Sequence, residues 1–243
     1  MQTDLAGRPW DQSPFAPIIE RAYAAIDAPR PQSLGVCDCC PSAVLMAEMR
    51  TMDRRQITAE HFIDWFFGAY DHPLPTPLWR YLLPRLMALL AMGEEIVDIE
   101  LALSRYPTGH RKGWSADAWD AIDDWQREMI ACVHQRRHHG LDTMLCMFAT
   151  AGWPLESLTA QVLAWPDEAL VSTLFDEWLR FGHYPLIASA FWEDKAAIMA
   201  FYTGDAIHRR IEAVALSERV EPDLARRAWE LMAFLEMYRG RQR

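Results

Sequence analysis

The chain has 243 residues, 51% hydrophobic and 24% charged, and its 24 Lys and Arg against 34 Asp and Glu leave a net charge of −10. Such a balance excludes a disordered chain and supplies enough apolar surface for a sizeable core. A field of this sign disfavours nucleic-acid phosphates as the main partner and favours basic ones.

Residues 1–15 lack the basic and apolar regions of a secretory leader. No run of about 18 uncharged apolar residues is present, so no membrane span is expected. The five cysteines are odd in number and three of them crowd into Cys37-Asp38-Cys39-Cys40, unlike a secreted disulfide framework. A cytoplasmic setting of bacterial type is the simplest expectation.

Taken in chain order, apolar residues recur almost everywhere at helical spacing and almost nowhere with period two. Ile18, Ile19, Ala22, Tyr23 and Ile26 form one face of a first helix. Pro41 suits the first turn of a second, which carries Val44, Leu45, Glu48 and Met49. Thr58 is placed to cap a third, with Phe62, Ile63, Phe66, Phe67 and Tyr70. The prolines of 71–77 break the helix. Leu78–Met92 is the most apolar stretch and is expected to be buried on several sides, with Pro84 kinking it or marking its true start and Gly93 ending it. Glu94–Tyr106 is predicted as a short helix. Pro107–Gly113 is the clearest loop and the segment expected to move most.

Ser115 then caps a long helix to about His138, with Trp119, Ile122, Trp125, Met129 and Val133 facing inward and Gly140 closing it. Leu141–Ala151 is a further apolar helix. From Trp153 onward, short helices are predicted at Leu155–Ala164, Asp167–Phe181, Tyr184–Trp192, Asp194–Tyr202, Asp205–Ser217 and Pro222–Arg239, punctuated by Pro and Gly. The fold class is therefore all-α, about ten to thirteen helices in antiparallel hairpins, as a HEAT-like or irregular helical array. The whole of 1–243 reads as a single domain, with a subdomain boundary near 152 as the alternative.

Cys37 and Cys40 form a C-x-x-C, the spacing with which two thiolates share a tetrahedral zinc ion. The remaining ligands would come from Cys132, Cys146 or the histidines of the long helix, of which His134 and His138 lie one turn apart on one face. The metal set is thus Cys37, Cys40, His134 and His138, and zinc is the one cofactor the sequence suggests. A thiolate near a helix N-terminus also has a lowered pKa, so a redox switch uses the same residues. The plain alternative is a set of small apolar residues at a tight helix entry. Asp205 and His208 are one turn apart, but no second carboxylate-x-x-His motif completes a di-iron site. The phosphate-loop, dinucleotide, zinc-protease and nucleophile-elbow motifs are all missing, and 11 Gly give little material for phosphate-cradling loops.

Asp117, Asp120, Asp124 and Glu128 run down the start of the long helix at three- and four-residue spacing. With Trp114 just ahead of them they form a candidate surface for a basic protein partner, although acids there also complement the helix dipole.

The Cys37-x-x-Cys40 pair, followed by Tyr81-Leu82-Leu83-Pro84-Arg85-Leu86-Met87-Ala88-Leu89-Leu90, resembles a group of uncharacterised bacterial all-helical proteins with an N-terminal CxxC and a (F/Y)LPR(L/I)xxL helix. The resemblance covers roughly residues 35–95. It implies the all-α fold and the cellular setting, and no activity. By analogy of size, charge and missing catalytic motifs, the leading expectation is a non-catalytic protein-binding module, in its sharpest form an immunity-type protein neutralising a basic toxin. A zinc enzyme or zinc-stabilised module and a thiol switch are the alternatives, and catalysis is left open.

Overall fold

A computed structural model describes residues 2–37, 41–68, 74–135, 140–180 and 191–241. Eleven α-helices and no strand occur among them; the sole β-type pairing is a bridge between Thr3 and Pro9. No helix is long and apolar enough to cross a membrane, among the described residues. The chain falls into two compact units, Met1–Met129 and Ile130–Arg243, divided near the end of the fifth helix. The change of pattern at Trp153 lies inside the second unit.

In the first unit, a tight N-terminal turn is built around Asp4. Its carboxylate is buried and accepts from Ala6 N, Arg8 N, Arg8 Nε and Ser13 Oγ at 2.6–2.9 Å. Burial pushes the Asp4 pKa up, but these donors outweigh it and hold the group below the usual carboxylate range. Helix α1 (Phe15–Ala25) buries Phe15, Ile18, Ile19, Ala22 and Tyr23, the predicted face. Helix α2 (Ala43–Thr51) is capped by Ser42, one residue beyond Pro41, and turns Met46 and Met49 inward, leaving Val44 exposed.

Helix α3 (Ala59–Phe67) has the expected Thr58 cap, extended to a capping box by the His61 side chain. Trp65, not Phe67, completes its inner face; Phe67 is 74% exposed. Helix α4 (Thr76–Ala91) buries twelve residues, among them Pro84, and continues through that proline rather than starting at it. It ends as Gly93 predicts. Gly93 has φ +77°, and the Gly93 and Glu94 amides close back on Leu90 O and Leu89 O, the paired bonds of a Schellman cap.

The helix predicted over Glu94–Tyr106 does not form. A 3₁₀ turn at Ile99–Leu101 is continued by bonds from Ala102 to Ile99 O and Ser104 to Leu101 O. Ile96, Ile99, Ala102 and Leu103 are buried, and it is the backbone bonds closing over three residues, not the burial pattern, that mark the winding as 3₁₀. Helix α5 (Ala116–Ala131) follows, with Ser115 Oγ accepting from Ala118 N. Ala118, Ile122, Trp125 and Met129 are buried, Trp119 only half so. The helix stops well short of His138, giving way to a 3₁₀ turn at Val133–Gln135.

In the second unit, Gly140 begins a helix instead of ending one. It is the N-cap of α6 (Leu141–Thr150), in which Leu141 to Phe148 are buried without a break. Helix α7 (Leu155–Leu163) and helix α8 (Asp167–Phe175) each start after a proline, and α8 runs on as a π-helical turn, Asp176–Arg180. Helices α9 (Lys195–Thr203), α10 (Asp205–Ala215) and α11 (Pro222–Arg241) complete the unit, with α10 packed on α11 and α8. Asp194 caps α9 by accepting from Ala197 N. Arg210 ties α10 to the α7–α8 junction through Asp167, Leu163 O and Trp165 O. The helix predicted at Tyr184–Trp192 falls almost wholly outside the described residues.

Candidate functional site

The acidic column on α5 divides in two. Asp117 and Asp120, on its first turns, are exposed and enter no ion pair among the described residues. Asp124 is bonded by Arg21 at 2.7 Å, and Glu128 faces Arg8 at 3.4 Å, the same arginine that grips Asp4. The lower half of the column therefore ties α5 to α1 and to the N-terminal turn, and the upper half has no cation paired with it among the described residues.

Trp114 is half-buried rather than free on the surface. Its indole N–H donates to Thr108 O at 3.1 Å and the Arg80 guanidinium lies 5.1 Å over its ring. Arg80 also bonds Gly113 O. Behind Trp114, rings step inward at 6.1–6.5 Å from Tyr106 to Trp79 to Trp65, the last two fully buried. The loop expected to move most is thus anchored: Thr108 and Gly109 are buried, and Tyr106 OH reaches Thr76 Oγ1. The anchored loop encloses an open pocket of about 400 Å³ lined by Tyr106, Pro107, His110, Lys112, Gly113 and Trp114.

Of the metal set, Cys40 and His138 lie outside the described residues. Cys37 is half-buried. His134 is exposed, with its ring edge-on to Trp165 at 5.4 Å, and burial pushes its pKa down. Cys132 and Cys146 are buried, and Cys146 Sγ lies 3.9 Å from Thr150 Oγ1. No group of three or more His, Cys, Asp or Glu among the described residues is arranged to hold a metal ion.

Sequence reasoning missed a buried acidic cluster in the second unit. Asp142 is the second residue of α6, and Glu177 sits on the π-helical turn; both are buried. Gly140 has no side chain with which to cap α6, and Glu177 takes over that task from 36 positions away, its Oε1 accepting from Leu141 N. Its Oε2 is buried with no hydrogen-bond partner among the described residues. Burial, reinforced by the Asp142 charge, pushes the Glu177 pKa well up, so the group favours its protonated form. The Asp142 carboxylate accepts from Trp192 Nε1 at 2.9 Å. Tyr202 is also buried, and desolvation followed by the neighbouring Asp142 and Glu177 raises its pKa well above the usual value.

The only hint in sequence was one acid inside the apolar run Leu141-Asp142-Thr143-Met144-Leu145. Trp192 separates the cluster from a pocket of about 160 Å³ that it helps to line with Thr150, Trp153 and Asp194. Interrupted helices of the π type are frequent at functional sites, but this pocket has room for only a few water molecules, and the cluster acts first as a cap.

Comparison with family profiles, curated proteins and solved structures gives no match. The functional reading therefore rests on the residues themselves.

Proposed function

We propose that the protein is a non-catalytic protein-binding module that holds a basic protein partner, and that an immunity-type role, neutralising a basic toxin, is its sharpest form. The observation that carries the reading is the pair Asp117 and Asp120, exposed at the start of α5 with no cation of the described residues beside them, next to a tryptophan fixed by its own bonds. A fixed aromatic group such as Trp114 loses little freedom when a partner docks, which favours binding. Asp124 and Glu128, the other acids of the proposed surface, are already paired with Arg21 and Arg8, so the reading rests less on them.

The test is pull-down of the purified chain against the products of the adjacent genes, repeated with the double variant Asp117→Lys/Asp120→Lys. A bound partner is expected to be basic, to weaken at least tenfold between about 50 and 500 mM salt as screening shortens the reach of the charges, and to be lost with the double variant. A partner indifferent to both salt and the double variant, or the failure of every neighbour to bind, refutes the proposal.

A further inference from the structure

The anchored loop carries His110, Arg111 and Lys112 in succession, all exposed, and none of the three side chains makes an ion pair or hydrogen bond among the described residues; the Arg111 carbonyl accepts from Gly113 N and Trp114 N. Arg50, Arg219 and Lys195 likewise have no side-chain ion pair or hydrogen bond among the described residues, but most arginines do. Arg8, Arg21, Arg54, Arg55, Arg105 and Arg210 are each bound to a carboxylate or a backbone carbonyl, and Lys112 is one of only two lysines. None of the three side chains is used in an ion pair or hydrogen bond of the fold, among the described residues.

Two of them, His110 and Lys112, line the pocket of about 400 Å³ whose walls include Tyr106 and Trp114. That volume is within the range of small-ligand sites, roughly 300–1,000 Å³. The walls are set before any ligand arrives, Trp114 by Thr108 O and Arg80, Tyr106 by Trp79 and Thr76. An aromatic wall accepts a flat ring, and an unpaired ammonium with an imidazole beside it accepts an anion.

We propose that this pocket binds a small planar anion, an aromatic ring bearing a carboxylate or a phosphate, with the ring against Tyr106 and Trp114 and the anion at Lys112 and His110. The proposal does not rest on the docking role of Asp117 and Asp120, neither of which lines the pocket.

Isothermal titration with adenosine 5′-monophosphate and with indole-3-acetate tests it. Adenosine, indole and inorganic phosphate serve as half-ligands that separate ring from charge. At least one of the two anions is expected to saturate with Kd below about 1 mM, with its half-ligands at least tenfold weaker. Which of the two binds assigns the anion as phosphate or carboxylate. Lys112→Glu, at an exposed position that leaves the fold unstrained, is expected to weaken binding at least tenfold, whereas Lys195→Glu in the other unit leaves it unchanged. Saturation by neither anion overturns the proposal. So does equal binding of a half-ligand, or an equal loss with Lys195→Glu, which would mean net charge alone was being read.

Discussion

Replacing Glu177 by Gln and by Ala separates the two jobs this side chain does. Its Oε1 accepts from Leu141 N, and its buried carboxyl has a pKa pushed up by desolvation and by the neighbouring Asp142. Alanine removes the acceptor and leaves the Leu141 N–H buried without a partner, which costs about 1–3 kcal/mol. The emptied space adds about 1–2 kcal/mol. A total near 3 kcal/mol, at roughly 3 °C per kcal/mol for a chain of this size, lowers Tm by about 10 °C. Glutamine keeps the carbonyl acceptor and never ionises, so at pH 5 it is expected within about 1 kcal/mol of the natural chain.

The pH dependence then distinguishes them. Because the folded pKa of Glu177 lies above its unfolded value, its contribution is fully present below the ordinary carboxylate value of 4.5 and is lost as pH rises through the folded pKa. In that window the natural chain loses stability relative to Glu177→Gln at up to about 1.4 kcal/mol per pH unit. Denaturant melts followed by circular dichroism at pH 5, 6, 7 and 8 measure this below the range where Tyr202 titrates. Parallel curves for the natural chain and Glu177→Gln refute the reasoning. So does a Gln variant as damaged as the Ala variant, which would require an ionised carboxylate in the native state.

Further outcomes follow from other places in the fold. Asp4→Ala strands donors at Ala6, Arg8 and Ser13 and is expected to cost about 3 kcal/mol in a denaturant melt. Since the Asp4 pKa is lowered, its contribution is present above 3.8 and is lost as pH falls through the folded value, so the Asp4→Ala deficit shrinks in acid. Gly204→Ala places a Cβ 2.6 Å from Ala200 O and is expected to lower Tm by several degrees, whereas Gly113→Ala, with nothing within 4 Å, changes it by less than about 2 °C. Arg21→Ala breaks an exposed pair and is expected to cost less than about 1 kcal/mol, yet it frees Asp124 and so strengthens capture of a basic partner if the acidic face of α5 is the docking surface.

Much of the architecture was legible in local residues. The Thr58 and Ser115 caps, the Gly93 terminus and the inward faces of α1 and α5 follow from side-chain chemistry acting over one or two turns. Short-range rules failed where two windings share one composition. Glu94–Tyr106 has helix-compatible residues, yet its backbone bonds from Leu101 to Tyr106 close over three residues rather than four. They failed likewise at Gly140, which could as well end one helix as start the next.

The site was less legible, because charge pairing is a long-range property. Spacing on the helix put Asp117, Asp120, Asp124 and Glu128 in one column, but Arg21 and Arg8, about a hundred residues away in sequence, decided which of the four still carry an uncompensated charge. The same holds for Glu177. By itself the sequence determined that this is an acidic, all-helical chain with a cysteine cluster and a charged helix start, since those are matters of composition and of contacts within a turn. Only the tertiary structure decided which charges are spent inside the fold, which loop is pinned into a pocket and which carboxyl has its pKa raised, because each depends on a partner that the chain delivers from far away.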